Sequence, residues 1–405
     1  MLPEEHPMRQ TGKEPEGLKE QAAVPFWNDP GKRSILYQIG VALMVGLLGY
    51  YLISNTLANL ERQAIATGFG FLEKESAFEI GESLVSYSAA DSYGRALVVG
   101  ALNTMLVALI GITLTVILGT LIGIARLSSN WLISKMAGVY IEVFQDIPIL
   151  LQLFFWYALF YNVLPAPKLA LHPFAGLFLS NRGLVFAVPE SHASHKYMAL
   201  AFVVGCIAVY FLRRWAKKRQ AKTGKPFAVF RVSLGILIGL PLLTWMIGGA
   251  PTGMNIPVLK GFNFKGGINV SPEFTALLLG LVLYTAAFVA EVVRAGIQSV
   301  SKGQTEAAMS MGLKPSLILK LVILPQALRV IIPPLTSQML NLTKNSSLAV
   351  AIGYPDFVSV AGTTINQTGQ AIEGVALMMF VYLILSLLTS AFMNLYDKRM
   401  KLVER

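Results

Sequence analysis

The side chains with the greatest chemical potential in this sequence are charged and amide groups set inside long apolar segments. One group combines two carboxylates, two amides and a proline: Glu142, Gln145, Asp146, Pro148 and Gln152. A second combines an ammonium, an amide and two hydroxyls: Lys344, Asn345, Ser346 and Ser347. Because ionisable groups at membrane depth carry a high free-energy cost, each group is a candidate for binding a polar solute. The chemistry that these groups offer is non-covalent recognition of charge.

The sequence has no pattern typical of covalent catalysis or of a resident cofactor. Its single cysteine, Cys206, lies in an apolar run and its four histidines are scattered, which gives neither a zinc spacing nor a nucleophile beside a base. A phosphate-binding loop is excluded as well, because Gly224-Lys225 is followed by Pro226 and Arg219 stands where the leading glycine belongs. We therefore expect no catalytic residue, no metal site and no cofactor in this chain.

Composition is typical of a polytopic membrane protein. Of the 405 residues, 54% are hydrophobic and 14% are charged, and the mean hydropathy is +0.59. A net charge of +11 in a soluble protein would suggest nucleic acid. Here Lys and Arg cluster in short segments between apolar runs, which is a signature of membrane topology. We predict an all-α integral membrane protein, surrounded by lipid and without a nucleic-acid partner.

Eight apolar segments are predicted to cross the bilayer as helices. They cover approximately residues 34–57, 96–124, 136–164, 197–212, 232–247, 274–293, 325–348 and 372–395. The fifth is weakened by Pro241 and the seventh by its polarity. Eight spans return both termini to one side. If that side is the cytoplasm, the basic segments 126–135, 213–231 and 294–324 lie inside and the acid-rich segment 58–94 lies outside, as the positive-inside rule requires.

The stretch 303–325 lies between two spans without being apolar enough to form one. Gly312 suits the left-handed end of a short helix, and Pro315 suits the first turn of another. We therefore predict a helix, a sharp turn and a second helix at a membrane surface, with two alanines leaving one side of the first helix bare.

This stretch resembles the cytoplasmic "EAA" loop of ABC importer permeases. The residues that match the motif at its spacing are Glu306, Ala307, Ala308, Gly312, Leu324 and Pro325, while Val322 stands where isoleucine is usual. In that family the loop is a coupling helix that docks into a groove on a separate ATPase subunit, which holds the ATP and magnesium. The alternative is an amphipathic loop that packs only on its own bundle.

Two other runs resemble the polar amino-acid permeases within that class. Glu142, Pro148, Leu151 and Gln152 approximate one family stretch, with Gln145 where arginine is usual. The run from Lys344 to Leu348 resembles another, in which the lysine could hold a substrate carboxylate. The alternatives are a structural kink at Pro148 and a lysine that extends to the membrane surface.

Glu291 and Arg294 complete the candidate residues. They lie three positions apart near the end of the sixth span, so their side chains can meet on one helix face. An interfacial ion pair and a gate are the two roles that this spacing allows.

The resemblance covers about residues 97–395 and includes an unusually long insert, as in the larger general L-amino-acid permeases. The predicted organisation is a disordered cytoplasmic tail (1–33), a first helix with an extracytoplasmic loop (34–94), an ABC type-1 transmembrane domain (95–395) with an insert carrying two extra helices (165–272), and a basic cytoplasmic tail (396–405).

The resemblance implies the permease subunit of an ATP-driven importer that moves polar L-amino acids across the inner membrane by alternating access. It further implies ATPase subunits, a second homologous permease and a periplasmic amino-acid-binding protein as partners. The alternative is an ion-coupled secondary amino-acid transporter, which would place intramembrane acids at repeated positions in two halves. The sequence has no such repeat.

Overall fold

The computed structural model describes residues 27, 29–63 and 67–400. Most of the predicted tail 1–33, and residues 401–405 of the predicted tail 396–405, lie outside the described residues. The chain divides into two compact units between Thr67 and Gly68. Within the first unit, helix α1 (Pro30–Arg62) begins at Asp29, whose Oδ1 accepts a hydrogen bond from the Gly31 N–H at 2.9 Å. This helix corresponds to the first predicted span.

The second unit is mainly helical. Its described α-helices are α2 (Tyr93–Arg126), α3 (Trp131–Asp146), α4 (Ile149–Ala158), α5 (Ala193–Thr223), α6 (Val229–Ile247), α7 (Pro272–Gln298), α8 (Lys302–Ser310), α9 (Pro315–Ile318), α10 (Leu324–Asn345), α11 (Phe357–Thr368) and α12 (Ala371–Met400). Single π turns follow α4 (Leu159–Val163) and α9 (Leu319–Ile323), and short 3₁₀ helices cover Gly70–Glu73, Pro167–Leu169 and Ser346–Ile352.

Helices α2 and α7 lie side by side at the centre of this unit. A Cβ atom built on Gly119 would lie 2.6 Å from the Cβ of Val289, and one built on Gly123 would lie 2.6 Å from the Ala290 carbonyl oxygen. Two glycines four residues apart therefore allow the two backbones to approach closely, as small residues do between membrane helices. The contacts advance together along both helices, so α2 and α7 run parallel.

Helix α10 runs antiparallel to α7. Near the C-terminal end of α7, Gly296 contacts Ile331 in the first half of α10. At the other end of α7, Phe274 packs against Tyr354, which follows α10, with ring centroids 5.7 Å apart. We call the end of the bundle where α7 leads into α8 the α8 end. The opposite end, where α2 and α7 begin, is called the Glu82 end after the carboxylate of Glu82.

The third predicted span, 136–164, is not one straight helix. It breaks at Ile147 and Pro148 into α3 and α4 with its π turn, and the two parts are bent by 102°. Among the described residues, seven helices are long and apolar enough to cross a membrane, or up to eight if this bent pair counts as one span. Proline lacks the N–H that would bond one turn back, and this is the physical reason for the break.

The insert contains β-structure where the sequence suggested only loops. The strands are β1 (Leu171–Phe174), β2 (Leu177–Ser180), β3 (Gly183–Phe186), β4 (Val188–Pro189), β5 (Met254–Asn255), β6 (Val258–Lys260), β7 (Asn263–Lys265) and β8 (Ile268–Val270). They form an antiparallel sheet in the order β1-β2-β3-β8 and the pairs β4-β5 and β6-β7. Strands β3 and β8 are neighbours in the sheet although α5 and α6 lie between them in the chain, so this sheet depends on contacts distant in sequence.

Two further local expectations differ from the structure. Helix α6 continues through Pro241, which had been expected to interrupt the fifth span. Helix α11 lies between the last two spans, where no helix was predicted. Its first turn is capped by the Asp356 carboxylate, which accepts a hydrogen bond from the Ser359 N–H at 2.9 Å.

The contact between α2 and α7 predicts that a side chain at Gly123 destabilises the fold. In Gly123→Val the new atoms meet the Ala290 carbonyl, and overpacking of this kind costs roughly 1–3 kcal/mol. The thermal unfolding midpoint of the detergent-solubilised protein should fall. The matched control is Gly235→Val in α6, where a Cβ has no neighbour within 4 Å among the described residues. Equal midpoints for the two variants would contradict the close contact.

Candidate functional site

The predicted helix, turn and helix at residues 303–325 are present as α8, a turn and α9. Gly312 has a φ of +75°, the left-handed conformation expected from the sequence. The Gly312 N–H donates to the Met309 carbonyl at 2.9 Å, and the Leu313 N–H donates to the Ala308 carbonyl at 3.3 Å. This is the hydrogen-bond pattern of a Schellman motif, which ends α8 and fixes the direction in which the chain leaves it.

The two alanines of α8 do not share one environment. Ala308 is buried with 5% of its surface exposed, whereas Ala307 and its neighbour Glu306 are exposed. The expectation that both alanines leave a bare side is therefore wrong for Ala308, since α8 contacts α9 and the π turn behind it. Met309 and Met311 are 55% and 81% exposed, so the outer surface of the element combines one carboxylate with apolar side chains.

Glu291 and Arg294 form the predicted ion pair. The Arg294 Nε–H donates to Glu291 Oε2 at 2.9 Å, and Arg294 Nη2 contacts Glu291 Oε1, so the pair is bidentate. Arg294 Nη1 also donates to Gln298 Oε1 at 2.6 Å. These bonds tie together the last turns of α7 directly before α8.

The break between α3 and α4 is stabilised by Gln152. Its Nε2 donates to the Phe144 carbonyl at 3.0 Å and to the Ile147 carbonyl at 2.9 Å. The Phe144 carbonyl is the one that Pro148 leaves without a helical donor, so Gln152 replaces the missing backbone bond. Its Oε1 is buried and has no hydrogen-bond partner among the described residues.

The other polar residues of this segment divide between structural contact and exposure. Gln145 Nε2 donates to the Ala287 carbonyl of α7 at 3.3 Å. Glu142, Asp146 and Pro148 are exposed.

Lys344 lies at the end of α10 and is exposed. Ser346 Oγ donates to the Thr343 carbonyl and Ser347 Oγ donates to the Lys344 carbonyl, each at 2.7 Å. Both hydroxyl protons are thus engaged by the backbone of their own segment, and Asn345 is half-buried. Among the described residues, no hydrogen bond or ion pair joins this group to the group at 142–152.

Polar residues at the Glu82 end were not identified as candidates from the sequence. Glu82 Oε1 accepts a hydrogen bond from the Ser271 N–H at 2.9 Å, and Asn103 Nδ2 donates to the carbonyls of Glu82 and Pro355 at 2.8 and 2.9 Å. Burial raises the pKa of the Glu82 carboxyl, against the lowering effect of the Ser271 bonds, and the Glu273 carboxylate raises it further. The signal that could have identified this site is Asn103, an amide inside an apolar span.

Asp356 belongs to the same end and is fully buried. It lies between the last two membrane-spanning helices, and its Oδ2 accepts a hydrogen bond from the Tyr382 hydroxyl of α12 at 3.2 Å. Burial raises the pKa of the Asp356 carboxyl to about 6, although hydrogen bonds from Ser359, Val358 and Tyr382 oppose the shift. Asp356 therefore joins the start of α11 to α12.

Long apolar helices, polar groups within them and an exposed helix–turn–helix at one end define a membrane transport component. Residues 111–402 match the family described as "Binding-protein-dependent transport system inner membrane component", and the chain belongs to that family. The match confirms the predicted resemblance to importer permeases and the assignment as a multi-pass inner-membrane protein.

Three relatives match nearly the whole chain. The General L-amino acid transport system permease protein AapQ of Rhizobium johnstonii is 51% identical over 93% of this chain and 94% of its own length. The Putative amino-acid ABC transporter permease protein YhdX of Escherichia coli is 49% identical over 93% and 96%. The Glutamate/glutamine/aspartate/asparagine transport system permease protein BztB of Rhodobacter capsulatus is 40% identical over 92% and 95%. The similarity to long general L-amino-acid permeases predicted from the sequence is confirmed.

The environment of Asp356 predicts a pH-dependent contribution to stability. Because its pKa is raised from 3.8 to about 6 on folding, the folded state favours the protonated carboxyl. That stabilisation is fully present below about pH 4 and is lost as the pH rises through about 6. The unfolding free energy of the native protein minus that of Asp356→Asn should therefore decrease between pH 4 and pH 7. If this difference in unfolding free energy, measured by denaturant titration, stays constant from pH 4 to pH 7, Asp356 does not titrate in this way.

Proposed function

We propose that this chain is the permease subunit of an ATP-driven importer of polar L-amino acids. The observation that carries the proposal is the α8 element, which we define as α8 with its C-terminal turn (residues 302–312). In it the motif residues Glu306, Ala307 and Gly312 form a capped helix with an exposed outer surface. The names of the relatives support amino acids as the substrate class. ATP and magnesium are bound by separate ATPase subunits.

The outer surface of the α8 element suits docking into a groove of an ATPase subunit. Met309 and Met311 provide flexible apolar side chains, and Glu306 provides a charge that fixes orientation. Leu324 and Pro325, the remaining motif residues, begin α10 and so connect the docked element to a spanning helix.

The connections of α8 explain how movement of the ATPase would reach the membrane. One side continues into α7, whose last turns are held by the Glu291–Arg294 pair, and the other leads through α9 into α10. We assign this pair a stiffening role ahead of a gating role, because both of its oxygens are engaged within one helix. ATP, by binding the closed ATPase dimer more tightly, shifts the permease between inward- and outward-open states.

One face of α10 supports a substrate path. Ser337, Asn341 and Lys344 are exposed and lie at positions i, i+4 and i+7, so they form one polar stripe along the helix. Such a stripe is unfavourable against lipid, and we propose that a second, homologous permease subunit covers it and encloses the path. Lys344 would bind the substrate carboxylate there, since its ammonium makes no hydrogen bond or ion pair with the described residues.

The charge pattern supports an orientation in the membrane. With both termini in the cytoplasm, the basic end of α5 and the α8 element face the cytoplasm, where ATP is available. The Glu82 end then faces outward, toward a solute-binding protein that delivers the amino acid.

Gly312→Val tests the coupling role. Valine at positive φ strains the turn by roughly 1 kcal/mol or more and redirects α8, although no atom of the described residues blocks the side chain. In vesicles containing the assembled transporter, substrate-stimulated ATPase activity and amino-acid uptake should fall together, while membrane insertion persists. Glu306→Lys should give the same phenotype more weakly.

The matched control for this variant is Gly224→Val. Gly224 also ends a helix at positive φ (+68°), and a Cβ there meets no atom within 4 Å in the part of the chain that the structure describes, so the local strain is comparable. It lies after α5, away from the coupling element, and uptake should remain near the native rate. Normal uptake by Gly312→Val, or equal loss in both variants, would refute the coupling role.

Lys344→Ala tests the substrate path. Loss of the ammonium should reduce uptake of acidic, amide and neutral amino acids, because all of them carry the same α-carboxylate. Assembly with the ATPase should be retained. Lys218→Ala in α5 removes an equal charge outside the stripe and serves as the control. If uptake by Lys344→Ala equals that of the control for every substrate, Lys344 is only a surface lysine.

A further inference from the structure

The insert and the beginning of α7 enclose a second polar site at the Glu82 end. A cavity of about 390 Å³ lies between the turn joining β2 to β3, the strands β7 and β8, and the first turn of α7. Its volume falls in the range of small-molecule pockets, roughly 300–1,000 Å³. None of the candidate residues predicted from the sequence lines it.

The cavity contains one charge of each sign. Arg182 contributes the positive charge from the β2–β3 turn, and Glu273 contributes the negative charge from the first turn of α7. Neither side chain forms an ion pair within the part of the chain that the structure describes. Two opposite charges that line one cavity without neutralising each other suit a ligand that carries both charges itself.

Hydrogen bonds hold the carboxylate of Glu273 and the backbone of the β2–β3 turn, while the side chain of Arg182 is exposed. Glu273 Oε1 accepts a hydrogen bond from the Tyr157 hydroxyl at 3.2 Å. The β2–β3 turn is fixed by a bond from the Asn181 N–H to the Pro165 carbonyl at 2.9 Å and by one from the Arg182 N–H to Ser180 Oγ at 3.3 Å. The site is therefore held by a side-chain hydrogen bond at Glu273 and by backbone hydrogen bonds at the β2–β3 turn.

Three amide side chains, together with Tyr161 and Ser271, supply the remaining polar lining. Asn181, Asn263 and Asn269 all line the cavity. The Oδ1 atom of Asn181 is buried and accepts no hydrogen bond from the described residues, and Asn263 Oδ1 accepts one from the Phe264 N–H at 2.9 Å. Buried amides without partners are costly, and a polar ligand group would remove that cost at Asn181.

We propose that this cavity binds a free α-amino acid with a polar side chain. The guanidinium of Arg182 binds the α-carboxylate, the carboxylate of Glu273 binds the α-ammonium, and the asparagines bind the side chain of the ligand. Arginine presents a planar pair of donors that matches a carboxylate. A simple anion or cation would leave one of the two protein charges unpaired, so the site favours a zwitterion.

This inference rests on the proposed function and deepens it. In the proposed orientation the cavity opens on the outward side, so an amino acid held there would be bound before it reaches the polar stripe of α10. The insert would then form an entry site that belongs to the permease itself.

The test measures equilibrium binding to the full chain in lipid nanodiscs, without a solute-binding protein. Three probes separate the two charges: L-glutamine carries both, 4-aminobutanamide lacks the carboxylate, and glutaramate lacks the ammonium. Arg182→Gln should weaken L-glutamine binding roughly tenfold or more while changing 4-aminobutanamide binding little. Glu273→Gln should weaken L-glutamine binding by a similar factor while changing glutaramate binding little.

Two controls accompany these variants. Arg213→Gln in α5 and Glu190→Gln in the insert make the same chemical changes away from the cavity lining and should leave L-glutamine binding unchanged. The proposal is overturned if the native chain does not bind L-glutamine or if the cavity variants bind it as the controls do. It is also overturned if a variant weakens the binding of all three probes by the same factor. Uptake by the assembled transporter is measured separately. If the native complex imports amino acids although its permease shows no such binding, the entry site is refuted and the proposed function stands.

Discussion

The close contact between α2 and α7 is the constraint on which the rest of the structure depends. In a bilayer the hydrophobic effect does not drive two apolar helices together, so their association requires direct packing of backbone on backbone. Gly119 and Gly123 make this possible against Val289 and Ala290. Once α7 is fixed at the centre, its two ends position the two regions for which we propose a function, the α8 element at one end and the polar residues around Glu82 at the other.

Polar groups in this protein serve two different purposes. Gln152 and Asn103 satisfy backbone carbonyls that a break or a loop leaves exposed, so they stabilise irregular structure at membrane depth. Lys344, Arg182 and Glu273 make no ion pair within the described residues. The amide donors of Gln152 and Asn103 are already engaged by backbone carbonyls, so they are less available to a solute. The charges of the second group are available to one, and this is the second purpose.

Sequence reasoning predicted the features that depend on local pattern. The apolar spans follow from hydropathy, and the conformation of Gly312 follows from the requirement of a helix end for a residue that tolerates positive φ. The 102° angle at Pro148 could not be predicted, because a missing N–H indicates a break without setting its size. Burial of Ala308 depends on contacts with α9 that spacing does not reveal.

The remaining features that the sequence did not predict have one physical cause in common. The sheet of the insert, the hydrogen bonds around Glu82 and the proposed entry cavity are all assembled from segments far apart in the chain. Examples are β3 with β8 and Glu82 with Ser271. Hydropathy and motif spacing report on neighbours along the chain. They give no information on which distant loops meet at the end of a bundle.

The parallel pairing of α2 with α7 has a consequence for biosynthesis. The glycine surface of α2 enters the membrane while α7, more than a hundred residues downstream, has yet to be translated. At about 5–20 residues per second this leaves α2 without its partner for roughly ten seconds or longer. Helices α5 and α6, which pack on each other, can complete their own hairpin in that interval. The centre of the permease therefore closes late, after its periphery, and α2 depends on lipid or on the insertion machinery until its partner arrives.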